Sequence, residues 1–418
     1  MTDAAVTSET EQQPPLPSAE KPLAGRKILI IVENLPVPFD RRVWQESLAL
    51  VAAGAEVSVI CPKGKGYEAE EEDLEGVHIY RHTLPPDGDS AVGYLREYGS
   101  ALFHQTRLAC KVFAGRGFDV VHGCNPPDLI FLVALPFKAI GKRFVFDHHD
   151  INPELYEAKF NKRGFFWRLL VLFERMTFFF ADVVISTNES YRRIAIERGR
   201  KSPDRVFIVR SGPDLRRVKM APVDPRWKKG RRYLAGFVGV IGDQEGIDLL
   251  LAAVKHLVFK MGRKDIQFVL VGDGPSRKRM ETLSVEMGLA DYVTFLGRAP
   301  DAELFSVLSS ADICVNPDRV NPMNNLSTMN KILEYMAMKK AMVQFDVVEG
   351  RVSAGDASLY AKPNDPVDFA DKIVELLADP QRCERMGEIG RARIEDELSW
   401  GRQVPKLVKA YETLFARR

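Results

Sequence analysis

The residues best equipped for chemistry lie in 316–351, NPDRVNPMNNLSTMNKILEYMAMKKAMVQFDVVEGR. An apolar run over 311–315 leads into a loop rich in Asn and Pro, and the spacing beyond it predicts a helix starting near Ser327. At about 100° per residue Ser327, Lys331 and Glu334 share a narrow polar stripe, while Met329, Ile332, Leu333 and Met336 cover the opposite side. A helix N-terminus offers unpaired N–H groups and a partial positive charge, which suit a phosphate. Lys331 adds a full charge one turn in. Glu334, an acceptor-only group one turn deeper, can take hydrogen bonds from the paired hydroxyls of a ribose. The stripe fits a nucleotide diphosphate, although a plain surface helix with a Lys–Glu pair three residues apart has the same spacing.

The surrounding pattern is that of a layered α/β unit. Strands are expected over 233–238, 267–271, 292–295, 311–315 and 341–345, with helices over 247–258, 276–287 and 301–309 between them. Two glycine-bearing turns, Gly239 to Asp243 and Gly272 to Pro275, fall at strand ends where glycine lets a backbone approach a ligand closely. The first half repeats the scheme. KILIIV (27–32) reads as a buried parallel strand, Asp40 caps a helix ending before Gly54, and 56–61 is the next strand. Further strands are expected over 77–80, 118–122, 143–146, 183–186 and 206–209. The loop after 27–32 lacks the GxGxxG of a dehydrogenase, which removes the main support for hydride transfer.

Polar residues gather at two strand ends of this half, HGCNPPD (122–128) and FDHHDINPE (146–154). His148 and His149, between Asp147 and Asp150, fit metal binding, acid–base work, donation to a sugar hydroxyl, or simple carboxylate-capped packing. In an extended segment they point opposite ways. The Asp87-Gly88-Asp89 triplet reads as a solvated loop. The aromatic segment 165–180 reads as a core helix, with a membrane-surface contact as the other outcome, given Lys159, Lys162 and Arg163 just before it.

The 418 residues suit two domains of roughly 180 to 200 residues each. With 59 Lys and Arg against 57 Asp and Glu, nothing drives the chain toward nucleic acid. Five dispersed cysteines without a CxxC pair fit reduced thiols in a cytoplasm and no zinc site. Residues 1–24 read as a disordered polar leader without a secretory pattern. The longest apolar stretch, 165–185, is broken by Arg168, Glu174, Arg175 and Asp182 and does not read as a membrane span. The divisions expected are an N-terminal domain over 25–212, a Pro- and charge-rich linker over 213–232, a second domain over 233–397 and a terminal helix over 398–418 that crosses back to the first domain.

Taken together, FDRRVWQESLALVAAGAEVSVICP (39–62), FDHHDINPE, ADVVISTNES (181–190), RVFIVRSGPD (205–214), LVGDGP (270–275), VTFLGR (293–298) and KILEYMAM (331–338) make the chain resemble the retaining GT-B glycosyltransferases, family 4 in particular. The resemblance implies two Rossmann-like, doubly wound α/β domains facing across a cleft. The second domain would hold a nucleotide diphosphate sugar and the first would admit the acceptor. It implies that Glu334 binds the donor ribose, that His149 lines the sugar-binding cleft, that Gly239 faces the diphosphate, and that 295–298, including Arg298, hold the base. Catalytic candidates are thus His149, Lys331 and Glu334. Donor-side candidates add Gly239, Gly242, Arg298, Arg319, Asn324, Asn325, Ser327 and Arg351, and acceptor-side candidates are Arg41, Arg42, Asn125 and Asp150. No metal is expected, and no cofactor beyond the donor substrate.

Two positions depart from the family pattern. Leu326 stands where the first glutamate of its E-x7-E element would be, and Val240 and Glu245 stand where a basic pair would face the diphosphate. The expected activity is retaining transfer to a hydroxyl acceptor, a glycan or a lipid-linked carrier, in cell-envelope polysaccharide or glycolipid synthesis. A peripheral membrane contact is expected with a lipid-borne acceptor. The departures leave open a catalytically silent binding module, and the fold leaves open a sugar-nucleotide epimerase.

Overall fold

A computed structural model of the chain describes residues 21–83 and 91–416. Its first sheet contains β1 (Lys27–Ile31), β2 (Glu56–Pro62), β3 (Glu71–Leu74), β4 (Val77–His82), β5 (Val120–Cys124), β6 (Arg143–His148), β7 (Val183–Ser186) and β8 (Val206–Ile208), ordered β3-β4-β2-β1-β5-β6-β7-β8. The second contains β9 (Tyr233–Val238), β10 (Ile266–Val271), β11 (Val293–Gly297), β12 (Ile313–Asn316), β13 (Met342–Phe345) and β14 (Ser358–Ala361), ordered β11-β10-β9-β12-β13-β14. Every neighbouring pair is parallel except β3–β4.

Parallel sheets are covered on both faces, and the strands are accordingly apolar without alternation. Along β1, Ile28 and Ile30 enter one apolar cluster while Leu29 and Ile31 enter the one on the opposite face. In each sheet the strand order reverses about a central strand, β1 between β2 and β5 and β9 between β10 and β12. Beyond the carboxyl ends of such strands an open crevice forms. Short local signals set the elements in register: Asp40 Oδ1 accepts from Val43 N at 3.0 Å and caps the helix Arg41–Ala52, and Gly54, at φ 95°, turns the chain out of it.

The structure departs from the sequence reading at several points. Leu23 is buried in the first domain's core and its N–H bonds to Ala53 O at 3.0 Å, so the domain begins before residue 25. Asp87 to Asp89 lie outside the described residues. The acidic edge strand β3 had no apolar signal to announce it. The segment 213–232 is packed rather than loose, because Val218 and Trp227 join an apolar cluster of the second domain and Trp227 Nε1 donates to Ser306 Oγ at 3.0 Å. The aromatic helix Phe165–Phe180 is not a core helix: only Val171, Glu174, Thr177 and Phe178 are buried along it.

The last helix, Trp400–Phe415, crosses to the first domain. Trp400, Val404, Leu407, Tyr411 and Leu414 fill the cluster beneath β1, β2 and β5. Tyr411 Oη meets His122 Nδ1 at 2.6 Å inside it. Gly212 marks the passage between domains, where a Cβ would stand 2.1 Å from Leu398 O and 2.9 Å from Trp400 N, main-chain atoms with nowhere to go. Gly212→Ala is expected to destabilise the protein by about 2–3 kcal/mol. Gly99→Ala, on a helix with open space around it, should leave stability unchanged or slightly higher. Thermal midpoints of the two variants read by scanning fluorimetry check this.

Candidate active site

On the first domain the site is built at the end of β6. Asp147, fully buried, accepts from Arg42 Nη2 at 2.6 Å and Arg42 Nε at 2.8 Å, and its Oδ2 lies 2.9 Å from His149 Nδ1. Arg42 also meets Glu46 at 3.0 Å and donates to Val209 O and Ser211 Oγ, each at 3.0 Å. Burial on its own would lower the His149 pKa, but the Asp147 carboxylate and its hydrogen bond outweigh it and carry it up to about 9. Burial would raise the Asp147 pKa, but the Arg42 guanidinium first and His149 second outweigh it and hold Asp147 well below the usual carboxylate range. His149 is therefore an imidazolium at neutral pH with its Nδ1 side committed, which leaves Nε2–H as the donor it can present. His148 points the other way, into a buried niche 3.5 Å from Glu174.

Asn125 braces this turn. Its Oδ1 accepts from His149 N at 2.9 Å and Asp150 N at 3.1 Å, and its Nδ2 donates to Asp150 O at 2.7 Å and Asp128 Oδ1 at 2.9 Å. Asp150, half-buried, has its pKa raised by burial against the opposing pull of His149. His122, Cys124 and Asp147 come close enough to suggest a metal centre, but the Asp147 oxygens already answer Arg42 and His149, and His122 Nδ1 is taken by Tyr411. The cluster is a charge network, with the Arg42 guanidinium where a cation's field would be needed.

On the second domain the helix carrying Lys331 and Glu334 runs over Asn330–Ala337, not from Ser327. Asn321 Oδ1 accepts from Asn324 N at 2.8 Å and caps a separate short helix, Pro322–Leu326, which the fixed φ of Pro322 starts, and the chain is extended from Ser327 to Met329 before winding again. Lys331 Nζ lies 2.6 Å from Asp318 Oδ1, with both side chains nearly buried, and 5.0 Å from the Phe237 ring. A Cβ on Gly239 would stand 3.5 Å from that ammonium, and Gly239 adopts φ 151°, which L side chains rarely do. Glu245 is close by: burial raises its pKa, Lys331 lowers it and Asp318 raises it further.

Glu334 stands at the junction of the domains. Its Oε1 is 3.4 Å from Arg41 Nη1 and 3.9 Å from Arg217 Nη1, long contacts that leave the carboxylate lone pairs for other donors. Burial raises its pKa while Arg41 and Arg217 pull it down. Both arginines also hold Asp301, at 3.1 Å and 2.6 Å. Arg298 lies 4.1 Å above the Phe39 ring of the first domain. A second set of contacts grips the turn before the Lys331 helix. Asn188 Nδ2 donates to Leu326 O at 2.8 Å and Thr328 Oγ1 at 3.0 Å, and Tyr191 Oη is 3.0 Å from Ser327 Oγ.

The structure thus brings Arg41, Arg298, Lys331, Glu334 and Gly239 to the interdomain gap or its second-domain wall, with His149 at the carboxyl end of β6. Other expected residues are engaged elsewhere. Arg42 is buried with its donors spent and is closed to an acceptor, and Asn125 is a brace. Ser327 sits in the break between helices, bonded to Tyr191 and to Met323 O at 2.9 Å. Asn324 donates to Gln244 O and Arg319 O, Asn325 accepts from Val348 N, and Gly242 N–H donates to Glu245. Arg319 is held by Asp248 and Asp243 O, and Arg351 pairs with Asp346 and lies 3.9 Å above Tyr360 on the edge strand β14. Asp318, Arg217, Asp301 and Asn188 were not expected. Only the position of Asn188 at the cap of a helix just after a strand, in ADVVISTNES, carried any signal.

Two Rossmann-like domains joined across their carboxyl ends define a GT-B architecture. Residues 40–217 match the family described as Glycosyltransferase Family 4, and residues 232–379 match Glycosyl transferases group 1. Between them these matches take in both domains, and the chain belongs to the group 1, family 4 glycosyltransferases. It is similar to the alpha-D-kanosaminyltransferase of Streptomyces kanamyceticus, 31% identical over 173 residues, 41% of this chain and 43% of that protein. It is also similar to the alpha-maltose-1-phosphate synthase of Mycolicibacterium smegmatis, 27% identical over 300 residues, 66% of this chain and 74% of that protein. The chain spans about half the length of the first curated relatives it matches. Among solved structures, sucrose-phosphate synthase from Thermosynechococcus elongatus superposes with a TM-score of 0.78 at 21% identity, over 93% of this chain and 99% of that one. Anabaena HepE in complex with UDP and glucose gives 0.71 at 15% identity, over 93% and 100%. At these identities the likeness is one of fold.

The His149–Asp147 pair has a definite pH signature. Because the folded His149 pKa, about 9, lies above the ordinary value of about 6.5, its contribution to stability is complete below about pH 6.5 and is lost as pH rises through 9. His149→Gln should lower the thermal midpoint most near pH 6, with the gap to the parent protein narrowing by pH 9.5. Melts across that range check it, and a gap independent of pH would contradict the pairing.

Proposed function

We propose that the chain transfers a sugar from a nucleoside diphosphate sugar to a hydroxyl acceptor with retention at the anomeric carbon. The observation that carries this reading is the placing of Lys331 and Glu334 on one helix at the carboxyl end of the second sheet. The ammonium lies against Gly239 and the carboxylate meets Arg41 of the other domain. The ribose hydroxyls donate to Glu334, and the diphosphate takes a share of Lys331 from Asp318. As the bond from the anomeric carbon to the diphosphate oxygen breaks, the charge that develops on that oxygen is met by Lys331. The acceptor oxygen bonds to the anomeric carbon on the face the diphosphate leaves, and its proton passes to the departing phosphate. His149 takes part as a fixed hydrogen-bond donor to the sugar rather than as a base, since it is already protonated at neutral pH.

The complexes of HepE with UDP and glucose and with UDP-glucose make UDP-sugars the first donors to test. Free cysteines, three of them buried, support a reducing, cytoplasmic setting with a glycan or lipid-linked acceptor. One observation favours a second reading, a nucleotide-binding module without turnover: Asp318 and Glu245 beside Lys331 offset the charge that a leaving diphosphate needs. Calorimetry with nucleoside diphosphates together with donor-consumption assays over an acceptor panel separates the two, since binding without consumption supports the silent module.

In the transferase reading Lys331→Ala lowers kcat by about 100- to 1,000-fold, the usual cost of removing one stabiliser of developing charge. Glu334→Ala raises the donor KM by about tenfold or more with a smaller change in kcat. Steady-state kinetics measures both, and near-normal rates for the two variants would remove the assignment.

A further inference from the structure

The aromatic helix Phe165–Phe180 keeps a long apolar stripe in solvent. Phe165 is 74% exposed, Leu172 50%, Met176 36% and Phe179 75%. Their spacing places all of them within about 60° of arc at about 100° per residue. No element among the described residues covers that stripe. Its margins are cationic. Arg168 and Arg175 border one side of it, and Lys159 and Lys162 stand before its N-terminal end, all exposed or nearly so. Among the described residues none of these four has a carboxylate within ion-pair distance, whereas the acids of this region are already matched, Glu154 and Glu174 by Arg198 and Glu157 by Arg163. Near the C-terminal end, beside Phe179, lies a depression of about 570 Å³ in whose wall Lys138 and Arg205 are already paired with Asp182 and Asp204, and Arg200 adds a further cation.

We propose that this stripe and its cationic margin form a docking face for an anionic lipid bilayer, with the phenylalanines and Leu172 seated at the acyl–headgroup boundary and the basic side chains on lipid phosphates. Charge decides between this and a second copy of the chain. A two-fold interface would lay the same unmatched cations against themselves, whereas an anionic surface answers every one of them. The aromatic rings contribute buried apolar area and the cations draw the protein to the surface, the combination that holds a helix in the interface plane without crossing it. No helix of the described residues is long and apolar enough to cross a membrane. The orientation follows from the chain path. The helix is reached from the His149 turn through the short helix Asn152–Phe160, so its Phe165 end lies on the side of the domain where β6 delivers His149. A bilayer along the stripe therefore lies beside the mouth of the interdomain gap.

This inference stands on the surface alone and not on transfer chemistry, so its test reads membrane partition rather than turnover. Full-length protein is sedimented with vesicles of phosphatidylcholine alone and with about one-third phosphatidylglycerol. Comparison is with Phe165→Ser/Phe179→Ser and with Lys162→Glu/Arg168→Glu, all at exposed positions outside the site. The parent protein should partition at least tenfold more strongly onto the anionic vesicles, weakly in high salt, and each double variant should lose about tenfold or more. Nucleotide binding of the variants, measured separately, should match the parent, which keeps a failure here distinct from a failure of the proposed activity. Equal partition onto both vesicle types, variants that bind like the parent, or a concentration-dependent dimer abolished by Phe165→Ser/Phe179→Ser would each overturn the proposal.

Discussion

Buried charge at the ends of the two sheets must be answered by opposite charge at contact distance, and that requirement organises the site. Removing a carboxylate or an ammonium from water costs several kcal/mol unless partners restore the lost interactions. On the first domain one carboxylate, Asp147, answers two cations. Arg42 fixes both of its oxygens, and His149 takes what remains on Oδ2. The row extends inward through Glu46 and His122 to Tyr411 of the last helix. The element that ties the C-terminus to the first domain is thereby continuous with the turn that presents His149.

The second domain solves the same problem differently. Lys331 is ion-paired with Asp318, with Glu245 close by, and Glu334 is met by two arginines at long range. Glu334 is held only by long contacts, whereas Lys331 keeps a close, nearly buried ion pair. In the proposed complex a diphosphate would share Lys331 with Asp318, and ribose hydroxyls would approach a carboxylate whose arginine contact is 3.4 Å away. Because Arg41 belongs to the first domain and Arg217 to the segment between the domains, the Glu334 carboxylate is tied to how the domains meet. Asn188 and Tyr191 reinforce this by holding the turn from which the Lys331 helix departs.

The strands were legible in the sequence because parallel strands buried on both faces leave continuous apolar runs, and 233–238 is the same strand by pattern and by structure. The Lys331 helix starts at Asn330 although the apolar periodicity carries through Ser327. The Asn321-Pro322 cap nevertheless nucleates its own short helix and breaks the phase. Adjacent Arg41 and Arg42 could not be told apart by composition, yet helical phase held the answer. Arg42 shares the buried face with Val43, Glu46 and Leu50, while Arg41 faces out. Arg319, Arg351, Asn324 and Asn325 each meet a partner that only the tertiary fold supplies. The aromatic helix has an apolar excess that sequence assigns to a core; which neighbours cover it is a property of packing order, not of the helix.

The central claim, that Glu334 receives the ribose of a nucleoside diphosphate, is tested most directly by calorimetric titration with uridine, guanosine or adenosine diphosphate and the matching 2′,3′-dideoxy analogue. A site built to accept from those hydroxyls discriminates strongly against a ligand that lacks them. The dideoxy form should bind the parent protein about tenfold or more weakly, and Glu334→Ala should close the gap. Equal affinity of the parent protein for both forms, or a gap that survives in Glu334→Ala, would contradict it.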